Sequence, residues 1–120
     1  MRVCRAGGCE FNLSKNLFPS GYYSRFLFKT YESPEIALMK KYLDPGDSII
    51  ELGACIGVVS CISNKMLDHP ENHVVVEANP DLITEIEKNR ANNHCHFSLE
   101  NALISNQAFE TFYTYNIAIS

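Results

Sequence analysis

No run in this chain approaches the roughly 18 uninterrupted apolar residues that a membrane helix needs, so no membrane-spanning helix is expected. The opening segment, residues 1–10, also lacks the apolar stretch of a secretory signal. There is no basic stripe. Ten Lys and Arg stand against fourteen Asp and Glu, a formal charge of −4, which argues against nucleic acid as the main partner. Internal repeats and low-complexity stretches are missing too. Cys4 and Cys9 sit close together, but no second pair follows at metal-ligand spacing. The remaining cysteines, Cys55, Cys61 and Cys95, lie in apolar segments, where a reduced thiol acts as a small hydrophobe. These absences point to a cytoplasmic chain with a small-molecule ligand, no membrane partner and no metal.

What is present is a globular composition. The 120 residues are 46% hydrophobic and 20% charged, enough for one core and too apolar for a disordered tail. Residues 1–21 carry Gly7, Gly8, Pro19 and Gly21 with little periodicity and read as an irregular lead-in; residues 22–29 alternate aromatics as a strand does. Ser33-Pro34-Glu35 starts a helix, which Asp44-Pro45-Gly46-Asp47 stops. Residues 48–52 form a short apolar run expected of a strand buried on both faces. A glycine-bearing turn, 53–57, leads into a helix over 58–67. A strand over 73–77 ends in Glu77, and Asn79-Pro80-Asp81 opens a helix with Leu82, Ile83 and Ile86 on one face, fraying over 89–93. A third strand is expected over 95–99 and a last β-rich stretch over 109–115. Alternating strands and helices with short connections mean an α/β fold with a mainly parallel, Rossmann-like sheet. The division is a lead-in over 1–30, with a strand in it, and a partial ligand-binding domain over 31–120.

In open α/β sheets the ligand sits beyond the carboxyl ends of the strands. Here the first of these strands ends in Glu51-Leu52-Gly53-Ala54-Cys55-Ile56-Gly57, where small residues permit a sharp turn and a close backbone approach. An acid ending the next strand, Glu77, suits the two hydroxyls of a ribose. A dinucleotide fold wants Gly-x-Gly-x-x-Gly, but Cys55 stands where the middle glycine belongs, and Glu51 has the wrong charge for a diphosphate. The acid suits a ligand with a cationic end, and S-adenosyl-L-methionine combines an adenosine, a sulfonium and a cationic amine. An NAD-linked oxidoreductase is the enzyme alternative, and an inactive Rossmann-like domain used for subunit contacts is the other.

Pro45-Gly46-Asp47, Glu51-x-Gly53-Ala54-Cys55-x-Gly57, Glu77-Ala78-Asn79-Pro80, Asn89 with Asn92-Asn93, and Asn101-Ala102-Leu103 follow one another in an order and spacing that resemble the FkbM-type S-adenosylmethionine-dependent methyltransferases. The resemblance implies a class I methyltransferase fold and transfer of a methyl group to a hydroxyl of a small molecule or glycan. It further implies that Glu51, Gly53, Ala54, Cys55 and Gly57 line the methionine and ribose part of the cofactor. Glu77 would hold the ribose hydroxyls, with Ala78 and Asn79 beside the adenine and Asn101 and Ala102 at its edge. Glu32 matches an acid that the family often has before the first helix. Cys55 replaces the family's usual asparagine, which removes an amide able to donate and accept hydrogen bonds.

The family's next strand, with its Asp-x-Glu-Gly-type motif, has no counterpart here, so the chain reads as an N-terminal fragment with no catalytic base to name. The apolar first strand is then left with an open edge, which pairs with residues 22–29, with a second copy in a homodimer, or with missing chain. His94-Cys95-His96 resembles a metal cluster but has no third ligand nearby and reads as a loop or edge. Asn12-Leu13-Ser14 is a glycosylation triplet by coincidence in a chain without a signal, and Tyr22, Tyr23, Phe26 and Phe28 read as packing residues.

Overall fold

The chain begins with two strands joined by the tightest connection a hairpin allows. In this computed structural model, which describes residues 2–13, 34–109 and 111, β1 (Arg2–Ala6) pairs antiparallel with β2 (Cys9–Leu13), Ala6 opposite Cys9. Gly7 and Gly8 make the turn, with φ of 56° and 79°. A type I′ turn, one of the two kinds whose twist matches the flanking strands, needs positive φ at both central positions, and glycine adopts it without strain. The lead-in expected to be irregular over 1–21 is thus a hairpin over 2–13. The strand expected over 22–29 lies outside the described residues, as does Glu32.

Helix α1 (Pro34–Tyr42) has proline first, Glu35 in its first turn and Lys40 and Lys41 in its last, as the helix dipole favours. Ile36 is its buried anchor. The stop is a side-chain turn: Asp44 Oδ1 accepts the Gly46 N–H at 3.0 Å, and Asp47 Oδ2 accepts the Asp44 N–H at 2.9 Å. Strands and helices then alternate through β3 (Ile49–Leu52), α2 (Val58–Asn64), β4 (His73–Glu77), α3 (Pro80–Asn92) and β5 (Ser98–Asn101). The three strands form a parallel sheet in the order β3-β4-β5, so the molecule is a small α/β domain. No helix among the described residues is long and apolar enough to cross a membrane.

Several boundaries differ from the sequence expectation. Helix α2 ends at Asn64, where tighter bonds (Met66 N–H to Ser63 O, Leu67 N–H to Asn64 O) close the last turn. β5 starts at Ser98, because the backbone before it bonds elsewhere: Cys95 N–H to Arg90 O, and His96 N–H to the Asn64 side chain. His94 and His96 are exposed on this loop. Helix α3 is capped by Asn79, whose side chain accepts the Asp81 N–H at 3.0 Å, and it holds together to Asn92. Of the β stretch expected over 109–115, only residues 109 and 111 are described, and neither is in a strand.

The asparagines expected to fray α3 instead fasten the hairpin to it. Asn93 accepts the Glu10 N–H at 2.7 Å and donates to the Glu10 carbonyl at 2.8 Å, imitating a neighbouring strand along the edge of β2. Asn89, fully buried, accepts the Asn12 N–H at 3.1 Å and donates to Ile56 O at 2.9 Å. Buried polar groups need such partners, since an unpaired one costs about 1–3 kcal/mol. Cys9 and Phe11 of β2 complete the contact, entering one core with Ile56, Cys61, Ile86 and Phe97.

The two faces of the sheet differ. Glu51, Val75 and Leu99 share one face by register, and it is covered: Val75 is fully buried in the core that α2 and α3 build. Ile50, Leu52, Val74 and Val76 share the other. Ile50 is 75% exposed and Leu52 61%, with the two valines half-buried. The expectation of a strand buried on both faces is therefore corrected. Among the described strands β3 is an edge strand, and it is buried on one side only.

Candidate functional site

Between β3 and α2 the backbone takes a left-handed conformation three times in five residues: Gly53 (φ 81°), Cys55 (φ 54°) and Gly57 (φ 90°). Gly53 N–H still pairs with Val76 O at 2.8 Å, so the chain leaves the sheet only after that residue. Gly57 N–H closes the turn on Ala54 O at 2.9 Å, and Gly57 O accepts the first α2 bond from Cys61. Glycine at 57 serves the left-handed turn; a side chain there would meet Ile86 Cγ2 of α3 at 3.4 Å, an ordinary van der Waals contact. Among the described residues nothing would lie within 4 Å of a side chain at Gly53, so none of them closes off the backbone there. Cys55 is the strained member, because a non-glycine residue in this region costs about 1–2 kcal/mol, and least for asparagine or aspartate.

The loop is stitched to the end of β4. Glu77, 7% exposed, accepts the Cys55 N–H on Oε1 at 2.9 Å and the Asn79 N–H on Oε2 at 2.8 Å. One carboxylate thereby fixes the loop and the entry to α3. The Glu77 carbonyl in turn accepts from Asn101 Nδ2 (2.9 Å) and the Ala102 N–H (3.2 Å), and Asn101 Nδ2 also reaches Ala78 O at 3.1 Å. Glu51, Gly53, Ala54, Cys55, Gly57, Glu77, Ala78, Asn79, Asn101 and Ala102 therefore lie along one rim at the carboxyl ends of the three parallel strands. Glu32 cannot be added to it, lying outside the described residues.

A cavity of about 180 Å³ opens at the β3 end of this rim, lined by Glu35, Glu51, Gly53, Ala54, Cys55 and Ile56, with Val58 and Val59. It is smaller than the roughly 300–1,000 Å³ of a site that encloses a whole drug-sized ligand, so it accommodates one end of such a molecule. Glu51 lies beneath it with both oxygens held from below: Oε2 accepts the Ser60 hydroxyl at 2.8 Å, and Oε1 lies 3.3 Å from His73 Nε2. Glu35, from the first turn of α1, brings a second carboxylate to the lining. Among the described residues the lining holds two acids and no Lys or Arg, which favours a cationic group over a phosphate.

Cys9, Cys55, Cys61 and Cys95 are free thiols. Burial pushes the Cys55 thiol up to about 11, so it lines the cavity as an un-ionised group at neutral pH. Burial likewise raises Cys9. Cys61 and Cys95 share a hydrogen bond, which pushes Cys61 up, reinforced by burial, and pulls Cys95 down. No three His, Cys, Asp or Glu side chains among the described residues come together as metal ligands would.

Sequence reasoning missed Glu35, Ser60 and His73. Glu35 read only as a helix-start acid, and Ser60 and His73 carry no local signal, since each matters through a partner distant in sequence. No family model and no curated protein sequence matches the chain.

Proposed function

We propose that this chain carries the cofactor-binding half of an S-adenosylmethionine-dependent methyltransferase, with the sheet as part of a Rossmann-like class I domain. The observation that carries the reading is the acid-lined cavity beside the open backbone of Gly53. A carboxylate at the end of β3 attracts the cationic ammonium end of the cofactor, and the bare Gly53 backbone lets the ligand lie against the loop. A diphosphate there would face Glu51 and Glu35, which disfavours NAD. The motif order that resembles FkbM-type methyltransferases supports the same reading.

When bound, the cofactor supplies an electrophilic methyl group for a hydroxyl of a small molecule or glycan. The residues of this chain bind and orient. Glu51 and Glu35 face the positive end. Glu77 keeps the loop in register, and the lone pairs left on its oxygens accept ribose hydroxyls. Asn101 and Ala102 form the edge for the base. No general base is assigned among them.

Calorimetric titration of the chain with S-adenosylhomocysteine, with NADH as control, tests this. Saturable binding of S-adenosylhomocysteine alone is expected. Binding of NADH instead, or of neither by a folded sample, contradicts the reading. The exposed Ile50 and Leu52 favour one second reading, a domain kept for subunit contacts, which predicts a dimer and no binding of either ligand.

A further inference from the structure

Glu51 does not stand alone beneath the cavity. His73, fully buried at the start of β4, approaches its Oε1 through Nε2, and behind His73 the Nδ1 lies 3.1 Å from Asn64 Nδ2. Two backbone partners fix which way the Asn64 amide points. Its Nδ2 donates to Pro70 O at 2.9 Å, and its oxygen accepts the His96 N–H at 2.9 Å. An amide nitrogen only donates, so His73 Nδ1 is the acceptor, the ring proton sits on Nε2, and Nε2 donates to the Glu51 carboxylate. The contact is a hydrogen bond from a neutral ring with a defined tautomer. Phe97, with its ring centroid 5.4 Å away, packs against the imidazole.

We propose that His73, oriented by Asn64, is a positioning residue that aims the Glu51 carboxylate into the cavity. The relay spans β3, α2, β4 and the loop before β5, so the carboxylate that meets the ligand is fixed by all four before any ligand arrives. A carboxylate already held in one rotamer loses little freedom on binding, and a directed hydrogen bond keeps its free lone pairs facing the cavity. The functional weight of this role rests on the cofactor reading above; the relay itself does not.

Two measurements on the full chain separate these. Histidine nitrogen NMR of the ligand-free protein is expected to show the Nε2–H tautomer at His73. In Asn64→Asp, which turns an acceptor toward Nδ1, the proton is expected to move to Nδ1 or a second proton to be added. A Nδ1–H tautomer in the parent, or no response in Asn64→Asp, overturns the relay whether or not any ligand binds. The second measurement is S-adenosylhomocysteine affinity. His73→Leu, which removes the donor, is expected to weaken binding about tenfold, the loss of one hydrogen bond to a charged group. His73→Gln places an amide N–H where Nε2 stands and is expected to restore most of that loss. A folded His73→Leu that binds like the parent, or a His73→Gln no better than His73→Leu, overturns the positioning role. A parent chain that binds no S-adenosylhomocysteine overturns the cofactor reading, and with it the positioning role, leaving the relay to the tautomer result.

Discussion

The two faces of the β3-β4-β5 sheet are built from similar side chains and end in different states. On one, Val75 and Leu99 lie under α2 and α3, and the strand ends deliver Glu51 and Glu77 to the rim, each carboxylate tied by two hydrogen bonds. On the other, Ile50 and Leu52 face outward with most of their surface exposed. Hydrophobicity does not separate these faces, since isoleucine and leucine stand on the open one and glutamates on the covered one. Among the described residues, what separates them is whether a helix arrives to cover the strand. The covered face holds the packing energy and the rim of the proposed site. The open face adds an apolar surface beside an edge strand, the kind of surface that invites a second layer.

The largest difference between the two faces is expected in packing. Ile86→Ala, beneath the covered face and fully buried, is expected to cost about 2–5 kcal/mol, the lost transfer energy plus a cavity against Gly57 and its neighbours. Ile50→Ala, on the open face, is expected to change stability by about 0.5 kcal/mol or less in a dilute sample. Urea unfolding of both variants checks the contrast. A cost near 2 kcal/mol at Ile50 would mean that something covers that face in solution, and a dependence on protein concentration would identify it as a second copy.

A smaller effect is expected at the rim. Glu77→Gln presents a donor to one of two backbone N–H groups that now meet a carboxylate oxygen, so one of them is left without an acceptor. The expected cost is about 1–3 kcal/mol. Amide hydrogen exchange at Cys55 and Asn79 localises it, because loosening at those two N–H groups is the specific consequence. Unchanged protection at both would contradict the stitch.

The smallest effect is at the strained position. Cys55→Asn swaps a residue that resists φ near 54° for one that tolerates it, with an expected gain of about 0.5 kcal/mol. A rise in melting temperature checks this. A loss above about 1 kcal/mol would show instead that the packing of the half-buried thiol outweighs the backbone strain.

The same contrast marks what the sequence made legible. Element order came through because its signals are local: proline and an acid at the start of α1, Pro45-Gly46-Asp47 before β3, the unbroken apolar run of β4, and Asn79-Pro80 opening α3. The position of Glu51, Gly53 and Glu77 at the carboxyl ends of β3 and β4 follows from equally local signals, since each stands where an apolar run stops. The hairpin did not, because Gly7-Gly8 is a breaker in a loop and a turn between strands, and five-residue strands alternate too briefly to decide. Asn89 and Asn93 read as fraying because their partners, Asn12 and Glu10, are at the other end of the chain. Burial of Ile49 and Ile50 was over-read, since a short apolar run is the same string whether one face or both are covered. His73 was hidden inside an apolar strand for a related reason: its role is set by Glu51 and Asn64, which only the fold brings to it.

The most direct test of the central claim is to record amide chemical shifts residue by residue while S-adenosylhomocysteine is added to the labelled chain. Saturable changes are expected at the rim alone, at Gly53, Cys55, Gly57, Asn79 and Ala102, with Ile50 and Val74 on the open face unmoved. Changes centred on the open face, or none anywhere in a folded sample, would contradict that claim.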